Sequence, residues 1–165
     1  MPTAEQFREV MSRFATGVTL VTGADERGAP VGFTANAVTS VSLDPLLILF
    51  CADQSSTSLP ALLRTGRFRV SILGTGSRDL ARRFSKEVLP RRFEDGDLVF
   101  PTGGLPAPAN AIAWLECRVW KSLPAGDHVV VIGEVMDCGR SLVGDPLVFF
   151  GGEFIGLSGL QARQD

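Results

Sequence analysis

Histidine is nearly missing from this chain and tyrosine is wholly missing: one His and no Tyr stand among 165 residues. A single imidazole, His128, excludes any site that needs two within one chain, such as a two-histidine metal centre or a histidine-pair proton relay. Cysteine is scarce too. Cys51, Cys117 and Cys138 form no C-x-x-C pair, so the close ligand spacing of a structural zinc site is absent. An odd number of thiols argues against a secreted disulfide scaffold, and they read as small buried or half-buried side chains. Positive charge is not in excess: the net charge is −2 and the isoelectric point about 5.4, unlike a binder that neutralises phosphates along a nucleic acid. No apolar run reaches the roughly 18 residues of a membrane span. The start, Met1-Pro2-Thr3-Ala4-Glu5-Gln6, lacks the basic and apolar regions of a signal peptide, so the expected compartment is the cytoplasm. The two lysines, Lys86 and Lys121, come after no phosphate-binding glycine loop. Ser158 lacks the flanks of a nucleophile elbow.

What remains is 45% hydrophobic and 21% charged, the composition of a globular protein able to bury a core, and one domain over residues 1–165 is expected. Thr3 and Gln6 have capping-box spacing, and Phe7, Val10, Met11 and Phe14 recur with helical period up to a stop at Gly17. Strands are expected over residues 18–22, from about Val31, and over 46–50, the last as an apolar run buried on both faces. A short helix over 59–63 comes after the Ser55–Ser58 run. A strand over 68–73 leads to a helix N-capped by Ser77, with Leu80, Ala81 and Phe84 on one face. Residues 90–108 read mostly as loop. Two strands, 111–119 and 128–135, flank a turn at 124–127, and a last strand covers 147–150. Six or seven strands joined mostly by hairpins predict a mainly β protein, a closed or nearly closed antiparallel barrel with a few peripheral helices.

Four segments bear on chemistry. Gly74-Thr-Gly76 after a strand imitates a dinucleotide fingerprint, but Asp79 holds the third glycine position and would repel a pyrophosphate, so a plain strand-to-helix turn is the better reading. Gly32 to Ser42 packs small and hydroxyl residues into strand territory, which lets a flat heteroaromatic ring approach the backbone; a polar edge strand is the alternative. Ser55 to Ser58 before a helix can hold a phosphate or simply cap the helix. Arg82, Arg83 and Lys86 can add charge to that phosphate or form a solvated face. His128 opens a strand after Gly126-Asp127.

Together these pieces resemble the flavin reductase-like, FMN-binding split-barrel family, whose members include the small reductase components of two-component flavin-dependent monooxygenases. The resemblance is carried by Arg13 to Thr22, Gly32-Phe-Thr-Ala-Asn36, Ser40-Val-Ser-Leu-Asp-Pro45, Phe84-Ser85, Gly126-Asp-His128, Gly133-Glu-Val135 and Pro146 to Gly152. It departs at Asn36, where many relatives have Ser, and at Leu46, where a second Pro is common. The resemblance implies a split β-barrel, FMN or FAD as flavin, and NADH or NADPH as hydride donor. By position it implies flavin contacts at Thr34, Ala35, Asn36, Ala37, Val38, Ser40, Val41 and Ser42. Ribityl and phosphate contacts fall at Cys51, Ala52, Asp53, Ser56, Thr57 and Ser58, and further flavin contacts at Phe84 and Ser85. His128 and Phe154 are implied for the nicotinamide nucleotide. It implies no catalytic side chain, no metal, a homodimer, and a partner oxygenase receiving reduced flavin. Hydride passes between cofactors, so a chain with one His and no Tyr suffices. A non-catalytic flavin- or haem-binding module, a carrier or sensor, is the alternative.

Overall fold

The structure is a computed structural model that describes residues 1–157 apart from Pro90, Asp95, Gly103 and Val143. Ser158 lies outside the described residues. The chain runs through α1 (Ala4–Met11), β1 (Thr16–Gly17), β2 (Thr19–Ala24), β3 (Pro30–Ala35), β4 (Val38–Leu43) and β5 (Leu46–Asp53). It continues through α2 (Leu59–Thr65), β6 (Arg67–Leu73), α3 (Arg78–Lys86), β7 (Leu98–Val99) and β8 (Ala107–Pro108). It ends with β9 (Ala111–Ala125), β10 (His128–Arg140), β11 (Val148–Phe150) and β12 (Glu153–Ile155).

Seven strands form one sheet in the order β3-β2-β6-β9-β10-β5-β4, and every neighbouring pair is antiparallel. The two edge strands are β3 and β4, yet only Asn36 and Ala37 separate them in the chain. Three Cα steps of about 3.8 Å cannot span more than about 11 Å. The sheet must therefore curl until its edges nearly meet, without pairing. That is an open seam, the mark of a split barrel and not of the closed alternative.

Inside the curl, Val21, Phe50, Phe68, Val70, Cys117 and Val131 form a core, closed at one end by Leu59, Ala61 and Leu62 of α2. Phe50 and Phe68 meet edge to face with centroids 5.1 Å apart, the arrangement ring quadrupoles prefer. Outside the curl, α3 lays Leu80, Ala81 and Phe84 against Leu20, Leu73 and Leu147 in a second core. These are the helix residues expected on one face, and burying a Phe side chain there contributes roughly 1.5–3 kcal/mol.

Several expectations need correction. The run at 46–50 is buried on one face only: Ile48, Phe50 and Ala52 point into the core, while Leu46 is exposed and Leu47, Leu49 and Cys51 are half-buried. An antiparallel strand that walls a cavity buries one face in core and keeps the other for the cavity. The first helix ends at Ser12, not Gly17, and buries none of its residues. Its Thr3–Gln6 capping box is present in both directions. Ser58 and Ser77 occupy N-cap positions but make no side-chain cap bond. The paired strands β9 and β10 are longer than expected because each supplies the other's ladder past the point where apolar alternation stops. The expected loop at 90–108 contains a 3-10 turn at Arg91–Phe93 and the β7–β8 ladder.

Candidate functional site

A cavity of about 590 Å³ opens at the seam, within the roughly 300–1,000 Å³ usual for small-molecule sites. Its floor is the β3–β4 junction and the outer face of β5: Asn36, Ala37, Val38, Thr39, Leu49 and Cys51. The amide N–H of Cys51 donates to the Ala37 carbonyl at 3.0 Å, which fixes the junction against β5. The opposite wall is α1 and the turn after it, with Phe7, Arg8, Met11 and Phe14, completed by Phe149 and Gly152. Most of this lining is apolar, and Ala37, Cys51 and Gly152 leave room for a flat ring close to backbone. These residues fit an isoalloxazine-sized group.

The expected site residues divide by where their side chains go. Asn36, Ala37, Val38 and Cys51 line the cavity. Ala35, Ala52 and Phe84 are buried in the two cores, and Phe84 packs edge-on against Phe93 at 4.9 Å. The Thr34 hydroxyl donates to the Ala81 carbonyl of α3 at 2.7 Å. The buried Ser58 hydroxyl bonds both the Gly32 carbonyl and the Gly32 amide at 3.1 Å. Ser42 accepts from the Asp44 amide, Ser85 donates to the Arg82 carbonyl, and Val41 is exposed. Ser40 lies exposed on β4 opposite Ile48. In the Ser55–Ser58 turn, the Ser55 amide and hydroxyl both donate to Asp53 Oδ1, at 2.7 and 2.6 Å. Those bonds hold the Asp53 carboxyl below its ordinary value. The hydroxyls of Ser56 and Thr57 are left without a partner among the described residues.

Positive charge gathers next to α3. Arg82, Arg83, Lys86 and Arg91 line a cleft of about 400 Å³ with Glu87. Arg83 is committed to the Arg92 carbonyl and to Asp97, at 3.2 and 3.0 Å. Arg82, Lys86 and Arg91 are the cations left to face that cleft.

His128 starts β10 directly opposite Asp53 of β5, and Val130 stands opposite Cys51. Paired residues of antiparallel strands share a face, and residues two apart lie about 6.8 Å along it. His128 therefore sits on the cavity face, one pair beyond Cys51. Its Nδ1 lies 2.7 Å from Oδ1 of Asp127. Phe154 packs on Phe149 with centroids 5.5 Å apart, behind the cavity wall that Phe149 forms.

Sequence reasoning missed the α1 wall, Leu49 and Phe149 as lining residues. The apolar stripe of α1 was a visible signal, but periodicity does not say what a stripe faces. The thiols are unpaired. Burial pushes Cys117 up to about 12, so it stays protonated and inert at neutral pH. Among the described residues, no group of three or more His, Cys, Asp or Glu is placed to hold a metal ion.

An open-seamed antiparallel barrel with a mostly apolar cavity at the seam has the architecture of a split-barrel protein. The sequence model of the "Flavin reductase like domain" matches residues 11–158, and the chain belongs to that family. It is 41% identical over 138 residues to "Probable flavin reductase" of Rhizobium meliloti, covering 81% of this chain but only 44% of that relative's length. It is 37% identical over 151 residues to "FMN reductase (NADH) SmoA" of Agrobacterium fabrum, covering 92% of this chain and 84% of that one. Nitrilotriacetate monooxygenase component B from Mycobacterium thermoresistibile superposes with a TM-score of 0.86 at 36% identity, over 95% of this chain and 88% of that one.

Proposed function

We propose that this protein is an NAD(P)H-dependent flavin reductase that passes hydride from NADH or NADPH to FMN or FAD. It would hand the reduced flavin to a partner oxygenase. The observation that carries this reading is the juxtaposition at the seam: a floor of Asn36, Ala37, Val38 and Cys51 in a mostly apolar cavity, with His128 one residue pair further along the same face. A bound flavin supplies the hydride acceptor. The chain supplies placement: Asn36 to Val38 with Cys51 support the ring, and the α1 wall keeps water from its apolar edge. Ser56 and Thr57 offer free hydroxyls to the phosphate arm, and Arg82 and Lys86 on α3 offer positive charge in a separate cleft. His128 is assigned to the nucleotide, and Phe154 supports that end of the site through Phe149, on which it packs. No acid–base pair is required, since both reacting groups belong to the cofactors.

The names of the relatives support flavin, nicotinamide nucleotide and a two-component partnership. Family resemblance and the uncovered apolar face of α1 support a homodimer. No helix among the described residues is long and apolar enough to cross a membrane, and we place the protein in the cytoplasm. The test is oxidation of NADH and NADPH, followed by the loss of reduced-nicotinamide absorbance, with FMN, FAD or no flavin added. A rate that depends on flavin with at least one nucleotide is expected. Tight flavin binding without turnover would sink the reductase reading and leave a carrier.

A further inference from the structure

The turn between β9 and β10 is held by backbone contacts that leave one carboxylate unexplained. Gly126 takes a positive φ of 65°. Its carbonyl accepts from Gln54 Nε2 at 2.9 Å, and the Asp127 carbonyl accepts from the Gln54 amide at 3.0 Å. These bonds clamp the turn to the end of β5 without any help from the Asp127 side chain. That side chain is almost fully exposed, and its carboxylate meets Nδ1 of His128. An exposed carboxylate set against the neighbouring imidazole has a chemical consequence more than a structural one.

A carboxylate only accepts hydrogen bonds. Asp127 is held below the ordinary carboxylate value, first by this hydrogen bond and then by the His128 charge, so it is ionised at neutral pH. Nδ1 must then carry the proton, and in the neutral ring Nε2 is bare. The other charged group facing His128 is Asp53 across β5, itself engaged by Ser55; from β9 the opposing residue is Ala125. Resting on the reading of His128 as a nucleotide contact, we propose that Asp127 is a positioning residue that fixes His128 as its Nδ1–H tautomer and presents Nε2 to the nicotinamide nucleotide. Neutral, that nitrogen accepts from a donor such as an amide or hydroxyl. Protonated, it donates to an oxygen. Either way the same atom meets the ligand and the ring does not flip.

The chain's single histidine makes the test direct. Protein labelled with ¹⁵N-histidine gives one pair of ring nitrogens, whose couplings to the ring protons report the tautomer without assignment. The spectrum is taken about two pH units above the ordinary histidine value of about 6.5. Nδ1–H is expected in the unaltered protein. Asp127→Ala removes the acceptor, and Asp127→Asn can offer an N–H to Nδ1; both are expected to move the ring to Nε2–H. Both variants should raise the nucleotide KM roughly three- to tenfold, the scale of one hydrogen bond, with kcat and flavin Kd changed less than about twofold. A wild-type ring that is already Nε2–H, or variants with unchanged tautomer or unchanged KM, overturns the proposal. His128→Ala separates the two layers. If it leaves nucleotide KM unaltered, the role of His128 fails; if it raises KM while the Asp127 variants are silent, only the positioning role fails.

Discussion

Gly133 stands where β10 crosses the ring of Phe68. A Cβ there would lie 2.2 Å from Phe68 Cζ and 3.2 Å from the Cβ of Cys117. Phe68 is fully buried and braced by Phe50, so the ring cannot retreat without moving a second aromatic. Gly133→Ala is expected to destabilise the protein by about 1–3 kcal/mol through overpacking. This is read as a lower urea midpoint at unchanged m-value; an unchanged midpoint would show that the ring has room. In the sequence, Gly133 was visible as part of a Gly-Glu-Val segment, but its reason was not, because Phe68 comes from a distant strand. The same limit hid the fates of Thr34 and Ser58. Both looked like ligand-facing hydroxyls, and both are spent on carbonyls brought near only by the fold.

At the scale of elements, local chemistry was legible and neighbours were not. The capping box of α1 and the apolar face of α3 arise from spacing within a few residues. Which side of β5 faces the cavity does not, because an apolar run looks the same whether it meets a core or a cavity. The turn after β5 shows how an element's end can depend on pH. Asp53 has its folded value depressed chiefly by the Ser55 hydroxyl and then by the Ser55 amide. A depressed carboxylate contributes stability that is complete above its ordinary value of 3.8 and is lost as pH falls through the lower folded value. The Ser55 amide resonance should therefore shift along the acid limb, below about pH 4. Asp53→Asn should abolish that shift while the remaining resonances keep their positions. An amide that titrates identically in the variant would remove Asp53 as the cause.

The whole molecule leaves apolar surface uncovered on the cavity side. Phe7, Val10 and Phe14 are 62%, 69% and 65% exposed. Contiguous apolar patches beyond a few hundred Å² are unusual on monomers. The proposed homodimer covers such a surface, and sedimentation should give twice the chain mass of 17.6 kDa. The triple variant Phe7→Ser, Val10→Ser, Phe14→Ser should sediment at the single-chain mass, since none of the three is buried in the fold. An unaltered protein that sediments as a single chain at micromolar concentration would dismiss the dimer. Sequence patterning could foresee a mainly β barrel but not whether it closes; the split was implied by the family resemblance, and its physical reason is two edge strands joined by a two-residue link.

The architecture of β5 binds stability to recognition. This strand is a shared wall: Phe50 holds the core, while Leu49 and Cys51, its immediate neighbours in the chain, face the cavity. A wall one residue thick has no buffer layer. Any change that shifts the core by a few tenths of an ångström is transmitted to the floor on which the ligand lies. The protein cannot drift in its interior and keep its binding surface still, so its tolerance to substitution along this strand is set by the stricter of two tasks.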